Sequence, residues 1–210
     1  NIVAEGGITP LVTILYKELA PQASEDEAMS LIKAKAEAAG ALLHLSQGQL
    51  ETKKLVADAG ALELIVKLLE SKDNYAQKKA AGAICALSVD STENQEAFYR
   101  VGGIDKLVKL LDLRDAEAAV NAEAAKAIEA LCYGNEHNQD EVAKAGSIKP
   151  LVTILESDCL ERAKEEACAA LWALTTRHYT NQVAIADADG IPPLVAALGL
   201  GMRAQEKAGG

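Results

Sequence analysis

A ten-residue pattern, Gly60-Ala61-Leu62-Glu63-Leu64-Ile65-Val66-Lys67-Leu68-Leu69, returns four more times in this 210-residue chain and constrains the fold more than any other feature. The other copies start at Gly6, Gly102, Gly146 and Asp189, the last with aspartate replacing the glycine. Successive starts lie 54, 42, 44 and 43 residues apart. Within each copy the apolar residues at +5, +6, +8 and +9 form a helical stripe, not the alternation of a strand. Helices repeated with a period in the low forties predict an all-α stack of repeats, each burying its apolar face against the next.

Each repeat parses into three helices. The first is short and ends at the anchor glycine, with an apolar residue four positions earlier: Ile2, Val56, Phe98, Val142 and Ile185. Asn94-Gln95, Asn138-Gln139 and Asn181-Gln182, with Thr52 at the equivalent place, predict its N-cap, since a short side-chain oxygen accepts from a free N–H of the first turn. The glycine permits the left-handed backbone that reverses the chain. Pro10, Pro150, Pro192 and Pro193 fall in the first turn of the second helix, where a missing N–H costs little. The third helix carries Ala38, Ala41, Leu42 and Leu45, repeated as Ala80, Ala83, Ile84 and Leu87, as Ala124, Ala127, Ile128 and Leu131, and as Ala167, Ala170, Leu171 and Leu174. This is one buried face at i, i+3, i+4 and i+7, with small residues that let neighbouring third helices approach.

The resulting division is a single array of about five repeats, roughly 1–48, 49–91, 92–135, 136–179 and 180–210, the first and last incomplete. Both ends read as cut mid-repeat, without the polar cap of a finished solenoid, which predicts further repeats or a covering chain and leaves room for end-to-end contacts. The long first step places an insertion near 16–30, where Pro21 to Ser24 and then Glu25, Asp26 and Glu27 predict an exposed acidic loop, with a lid or partner contact as the functional alternative.

Composition narrows the function. A net charge of -10 argues against phosphate backbones and anionic membranes, which are bound by clustered Lys and Arg, and leaves proteins as partners. No run reaches the roughly 20 apolar residues of a membrane span. Cys85, Cys132, Cys159 and Cys168 are scattered without a C-x-x-C pair, so a reducing compartment is expected: the cytoplasm, with the nucleus or an organellar assembly as alternatives. His44, His137 and His178 have no partners at metal-ligand spacing, and no phosphate loop, nucleophile elbow or acid–base pair is present. Neither catalytic nor metal residues, and no cofactor, are expected.

With G-A-L-x-x-L-V-x-L-L on the second helix and A-x-x-A-L-x-x-L on the third, the whole chain resembles the armadillo repeat family. The resemblance implies a right-handed α-solenoid, an armadillo-type superhelix whose third helices line a concave groove that binds other proteins. In relatives that resemble importin alpha, a ladder of Trp and Asn on the third helix grips an extended peptide. Here the Trp place holds Leu43, Cys85, Glu129 and Trp172, and the Asn place holds Gln47, Val89, Tyr133 and Thr176. The expected groove residues are therefore Leu43, Val89, Tyr133 and Trp172 for apolar contacts and Gln47, Lys79, Lys126 and Glu129 for polar ones, with Cys85 and Thr176 in the same columns. Gly40, Gly82 and Ala169 leave space in which a partner's backbone, extended or helical, could come close. The implied function is a non-enzymatic adaptor that captures a peptide or helix of a partner protein; the alternative is a permanent structural subunit of a large assembly, docked through groove, ends and convex face.

Overall fold

The computed structural model describes residues 6–112, 117–158 and 160–197. The described residues are helical and connecting segments, without a strand. The first repeat shows α1 (Ile8–Tyr16) and α2 (Glu25–Ser46). Three complete triplets follow: α3 (Leu50–Asp58), α4 (Ala61–Leu68) and α5 (Asn74–Ser88); α6 (Thr92–Arg100), α7 (Gly103–Lys109) and α8 (Ala118–Cys132); α9 (Glu136–Lys144), α10 (Ile148–Glu156) and α11 (Glu161–Thr175). Then come α12 (Tyr179–Asp187) and a helix through 191–197. The third helices α2, α5, α8 and α11 pack side by side in that order, the first helices α3, α6, α9 and α12 form a parallel row, and each second helix leans on its own third helix. The molecule is thus an α-solenoid. Ile2, the reading of both chain ends and Cys159 lie outside the described residues.

The third-helix stripe is the shared core. Ala80, Ala83, Ile84 and Leu87, and their counterparts in α8 and α11, are all 0–1% exposed. In α2 the pattern loosens, with Ala41 and Leu45 half-buried, because that helix has a third-helix neighbour on one side only. Val56, Phe98, Val142 and Ile185 are buried under the first helices. The anchors do reverse the chain in the left-handed region: Gly60 has φ 76° and Asp189, the one non-glycine among them, φ 55°. At Gly60 a Cβ would also stand 2.5 Å from the Tyr16 hydroxyl, the tip of an exposed side chain that can move aside, so the left-handed backbone is what favours glycine there.

Two expectations change. The insertion is only partly a loop: it is a connection over 17–24, after which Glu25 to Ser30 already belong to α2, which at 22 residues is longer than the 15-residue third helices elsewhere. The cause is a reciprocal cap. Ser24 accepts from the Glu27 N–H, while the Glu27 carboxylate accepts from the Ser24 N–H at 2.8 Å and is held below the usual carboxylate range by those bonds.

The asparagines of the first helix are not its N-caps. Ser91, Asn135 and His178, three residues earlier, cap α6, α9 and α12 by accepting from the N–H of Asn94, Asn138 and Asn181. The asparagine side chains point the other way and donate. Asn94 Nδ2 reaches the carbonyls of Leu87 at 3.0 Å and Lys53 at 3.4 Å. Asn138 reaches Leu131 at 2.9 Å and Gln95 at 3.2 Å, and Asn181 reaches Leu174 at 3.0 Å and Gln139 at 3.2 Å. The glutamine that follows reaches forward: Gln95 Nε2 donates to the carbonyls of Ala130 and Tyr133, and Gln139 to those of Ala173 and Thr176. Helix C-termini leave carbonyls without intrahelical partners; here buried carboxamides from the first-helix row fill them, and join one repeat to the next.

An N-cap works by accepting, so aspartate would serve at Asn138, whereas this ladder works by donating. Asn138→Asp is therefore expected to destabilise at least as much as Asn138→Ala, each by about 2–3 kcal/mol since two buried carbonyls lose their donor, as read by urea denaturation; an aspartate variant as stable as the parent would restore the capping role.

Candidate functional site

Along the third-helix row, the residue after each buried Leu42, Ile84, Ile128 or Leu171 forms one column of graded exposure: Cys85 buried, Leu43 and Glu129 half-buried, Trp172 exposed. One turn later the C-cap residues Gln47, Val89, Tyr133 and Thr176 form a second column. The structure divides the expected site residues into groups. Leu43, Gln47, Cys85, Val89 and Lys126 line one depression of about 360 Å³. Tyr133 and Trp172 meet ring to ring, centroids 5.9 Å apart and tilted by 35°, each more than half exposed. Glu129 lies one turn before Tyr133 on the same helix face, and the Thr176 hydroxyl donates to the Trp172 carbonyl at 2.7 Å. Lys79 stands apart, its ammonium 5.3 Å from the centre of the Tyr75 ring.

The space at the glycines is already filled. A Cβ at Gly40 would sit 3.2 Å from Cδ of Lys79, and at Gly82 only 2.8 Å from Cδ1 of Leu43. These positions accommodate side chains of the neighbouring third helix, not a partner's backbone, because third helices that share an alanine-rich face come too close for both. Cys85 is 9% exposed and its thiol is pushed up to about 11 by burial, which leaves it as an apolar floor and not a nucleophile.

Charge is organised by a residue the sequence reading passed over. Arg162, at the start of α11, donates to Glu123 on α8 at 2.6 Å and stands 3.8 Å from Glu166, which Lys126 approaches at 3.9 Å. The recurrence of Glu123 as Glu166 one repeat later, with Arg162 four residues before, was the available signal. Burial raises the Glu166 carboxyl above its ordinary range, the cations Lys126 and Arg162 oppose the rise, and Glu129 and Glu123 add to it. Among the described residues the half-buried Glu129 carboxylate has no ion-pair or hydrogen-bond partner. Lys53, which stands where later repeats have glutamine, is 3% exposed and donates to the Val89 carbonyl at the edge of the depression. Its ammonium is held below the usual lysine range by burial, against the attraction of Asp90.

A wider hollow of about 850 Å³ lies at the insertion, between Ile14, Leu19 and Leu31, but its charged rim of Lys17, Glu18, Asp26 and Glu27 is exposed and unfocused. Among the described residues no three His, Cys, Asp or Glu side chains converge as they would around a metal, and no helix is long and apolar enough to cross a membrane.

Residues 51–89, one helical triplet, match the model of the Armadillo/beta-catenin-like repeat. The chain is similar to a designed armadillo repeat protein at 27% identity and TM-score 0.79, over 93% of this chain and 76% of that one. It is equally similar to a designed armadillo repeat protein in complex with the peptide (KR)4, at 28% identity and TM-score 0.79, over 93% and 75%. A computationally designed armadillo repeat protein for modular peptide recognition gives 28% identity and TM-score 0.78, over 93% and 76%. Comparison with curated protein sequences gives no match. Helical triplets, left-handed anchors and the matched repeat together give this chain an armadillo-type α-solenoid fold.

Two substitutions test the electrostatics. Lys53→Gln supplies the amide that Gln95 and Gln139 use and removes a buried charge, so it is expected to raise the melting temperature at pH 7; the wild-type deficit should shrink as pH rises through the lowered lysine pKa toward 10.5, where the native ammonium is discharged. The sign at Glu166 is opposite. Its native pKa lies above 4.5, so wild-type stability declines as pH rises through that raised value; Glu166→Gln should melt higher than wild type at pH 7 and the two should converge near pH 4, by calorimetry.

Proposed function

We propose that this protein is a non-enzymatic adaptor whose third-helix groove holds a segment of a partner protein. The observation that carries the reading is the Tyr133–Trp172 ring pair, left 57% and 55% exposed where the last two described third helices, α8 and α11, lie side by side. Large rigid aromatics are enriched among residues that dominate binding energy, and leaving two together in water is costly unless something covers them. The depression floored by Leu43, Cys85 and Val89 continues the apolar strip toward the first repeat. Support also comes from the fold: similar designed armadillo proteins were made for peptide recognition, and one is in complex with (KR)4. No group in the strip is poised for covalent or acid–base chemistry, since burial keeps Cys85 protonated and the Glu123, Lys126, Arg162 and Glu166 charges neutralise one another.

The test is a pull-down from native extract with wild type and with the double variant Tyr133→Ala/Trp172→Ala, at low and high salt. The adaptor reading expects partners that exchange and are lost from the variant, while circular dichroism stays unchanged because both side chains are exposed. A stoichiometric, salt-resistant complex that the variant retains would instead establish a permanent structural subunit docked elsewhere.

A further inference from the structure

On the groove reading above, we infer that the bound segment is an amphipathic α-helix bearing one Lys or Arg opposite Glu129, and not an extended peptide. The argument starts from what an extended chain would need. Its backbone N–H and C=O groups must find partners on the groove floor, and each one buried without a partner costs on the order of 1–3 kcal/mol. The column that would supply them is Gln47, Val89, Tyr133 and Thr176. Val89 has no polar side-chain atom, Tyr133 presents its ring to Trp172, and the Thr176 hydroxyl already donates to the Trp172 carbonyl. Gln47 is the one carboxamide of the column, the group that can donate to and accept from a peptide backbone together, while Tyr133 and Thr176 offer single hydroxyls. A helix brings its backbone already paired and asks nothing of this column.

The spacing agrees. Packed helices stand roughly 8–10 Å apart, so successive rungs of the strip recur at that interval. Seven residues of helix advance about 10.5 Å, so side chains at i, i+7 and i+14 fall on successive rungs. The rungs are not alike. Leu43, then Cys85 with Val89, then Trp172 are apolar, and between them stands the Glu129 carboxylate beside the Tyr133 ring. The neighbouring acids are engaged, Glu123 by Arg162 and Glu166 by Lys126 and Arg162, which leaves Glu129 as the groove carboxylate without a cation. A Lys or Arg of the partner supplies it, with its stem along the Tyr133 and Trp172 rings.

Two displayed libraries are panned against the whole protein: a helical hairpin with one face randomised at heptad spacing, and linear peptides with proline fixed at every fourth position, which cannot form a helix. Binders are counted as groove-dependent when affinity falls at least tenfold on Tyr133→Ala/Trp172→Ala. The expected result is that groove-dependent binders come from the hairpin library and carry one Lys or Arg, whose replacement by Gln costs fivefold or more on wild type and little on Glu129→Gln. Groove-dependent binders from the proline-interrupted library alone, or equally from both, overturn the helical partner and leave the adaptor function standing. Absence of groove-dependent binders from both libraries overturns the two together.

Discussion

The ends of the third helices set the terms for the rest of this solenoid. Each leaves carbonyls with no intrahelical partner, in a place where neighbouring repeats exclude water. The asparagine of the following first helix answers the helix behind it and the glutamine answers the helix ahead, so the carbonyls of Leu87, Ala130, Leu131, Ala173 and Leu174 are all met by buried carboxamides. Apolar burial along the alanine-rich stripe supplies the larger share of the free energy, but it is non-directional. The carboxamides fix register, because a slip of one residue would leave both donors and acceptors stranded.

The ladder is not uniform along the stack. At the second repeat the pair becomes Thr52-Lys53, and a buried ammonium takes the place of an amide against the Val89 carbonyl. That carbonyl belongs to the C-cap residue whose side chain lines the groove depression. At the last described repeat the cap residue is His178, whose Nδ1 accepts from the Asn181 N–H and whose Nε2 lies 3.1 Å from Asp140. The interior of the stack is regular; its variations lie along the edge where third helices end.

The groove combines a scaffold that has almost no choice with a surface that has a great deal. Gly40 and Gly82 are small because Lys79 and Leu43 of adjacent helices occupy the space above them, so their size serves packing. The next positions outward are free to differ, and they do: leucine, cysteine, glutamate and tryptophan in successive rungs. Arg162 and Lys126 neutralise Glu123 and Glu166 across the α8–α11 contact, which leaves a strip more apolar than its count of charged residues suggests.

Most of the fold was legible in the sequence because its determinants are local and repeated. The decamer, the left-handed anchors, the first-turn prolines and the i, i+3, i+4, i+7 stripe each depend on contacts within one helix or between equivalent helices, and five copies reveal what one would not. Of the candidate site, the neighbourhoods were legible: Leu43, Gln47, Cys85, Val89 and Lys126 share a depression and Tyr133 meets Trp172. What tertiary structure decided was direction and pairing. Whether the amide of Asn138 donates across a repeat boundary or its oxygen caps its own helix, whether Gly82 faces a partner or Leu43, and which of Glu123, Glu129 and Glu166 is left without a cation all depend on groups some forty residues away. A one-dimensional period reports that equivalent positions recur; it carries no information on which atoms of neighbouring repeats lie within hydrogen-bonding distance.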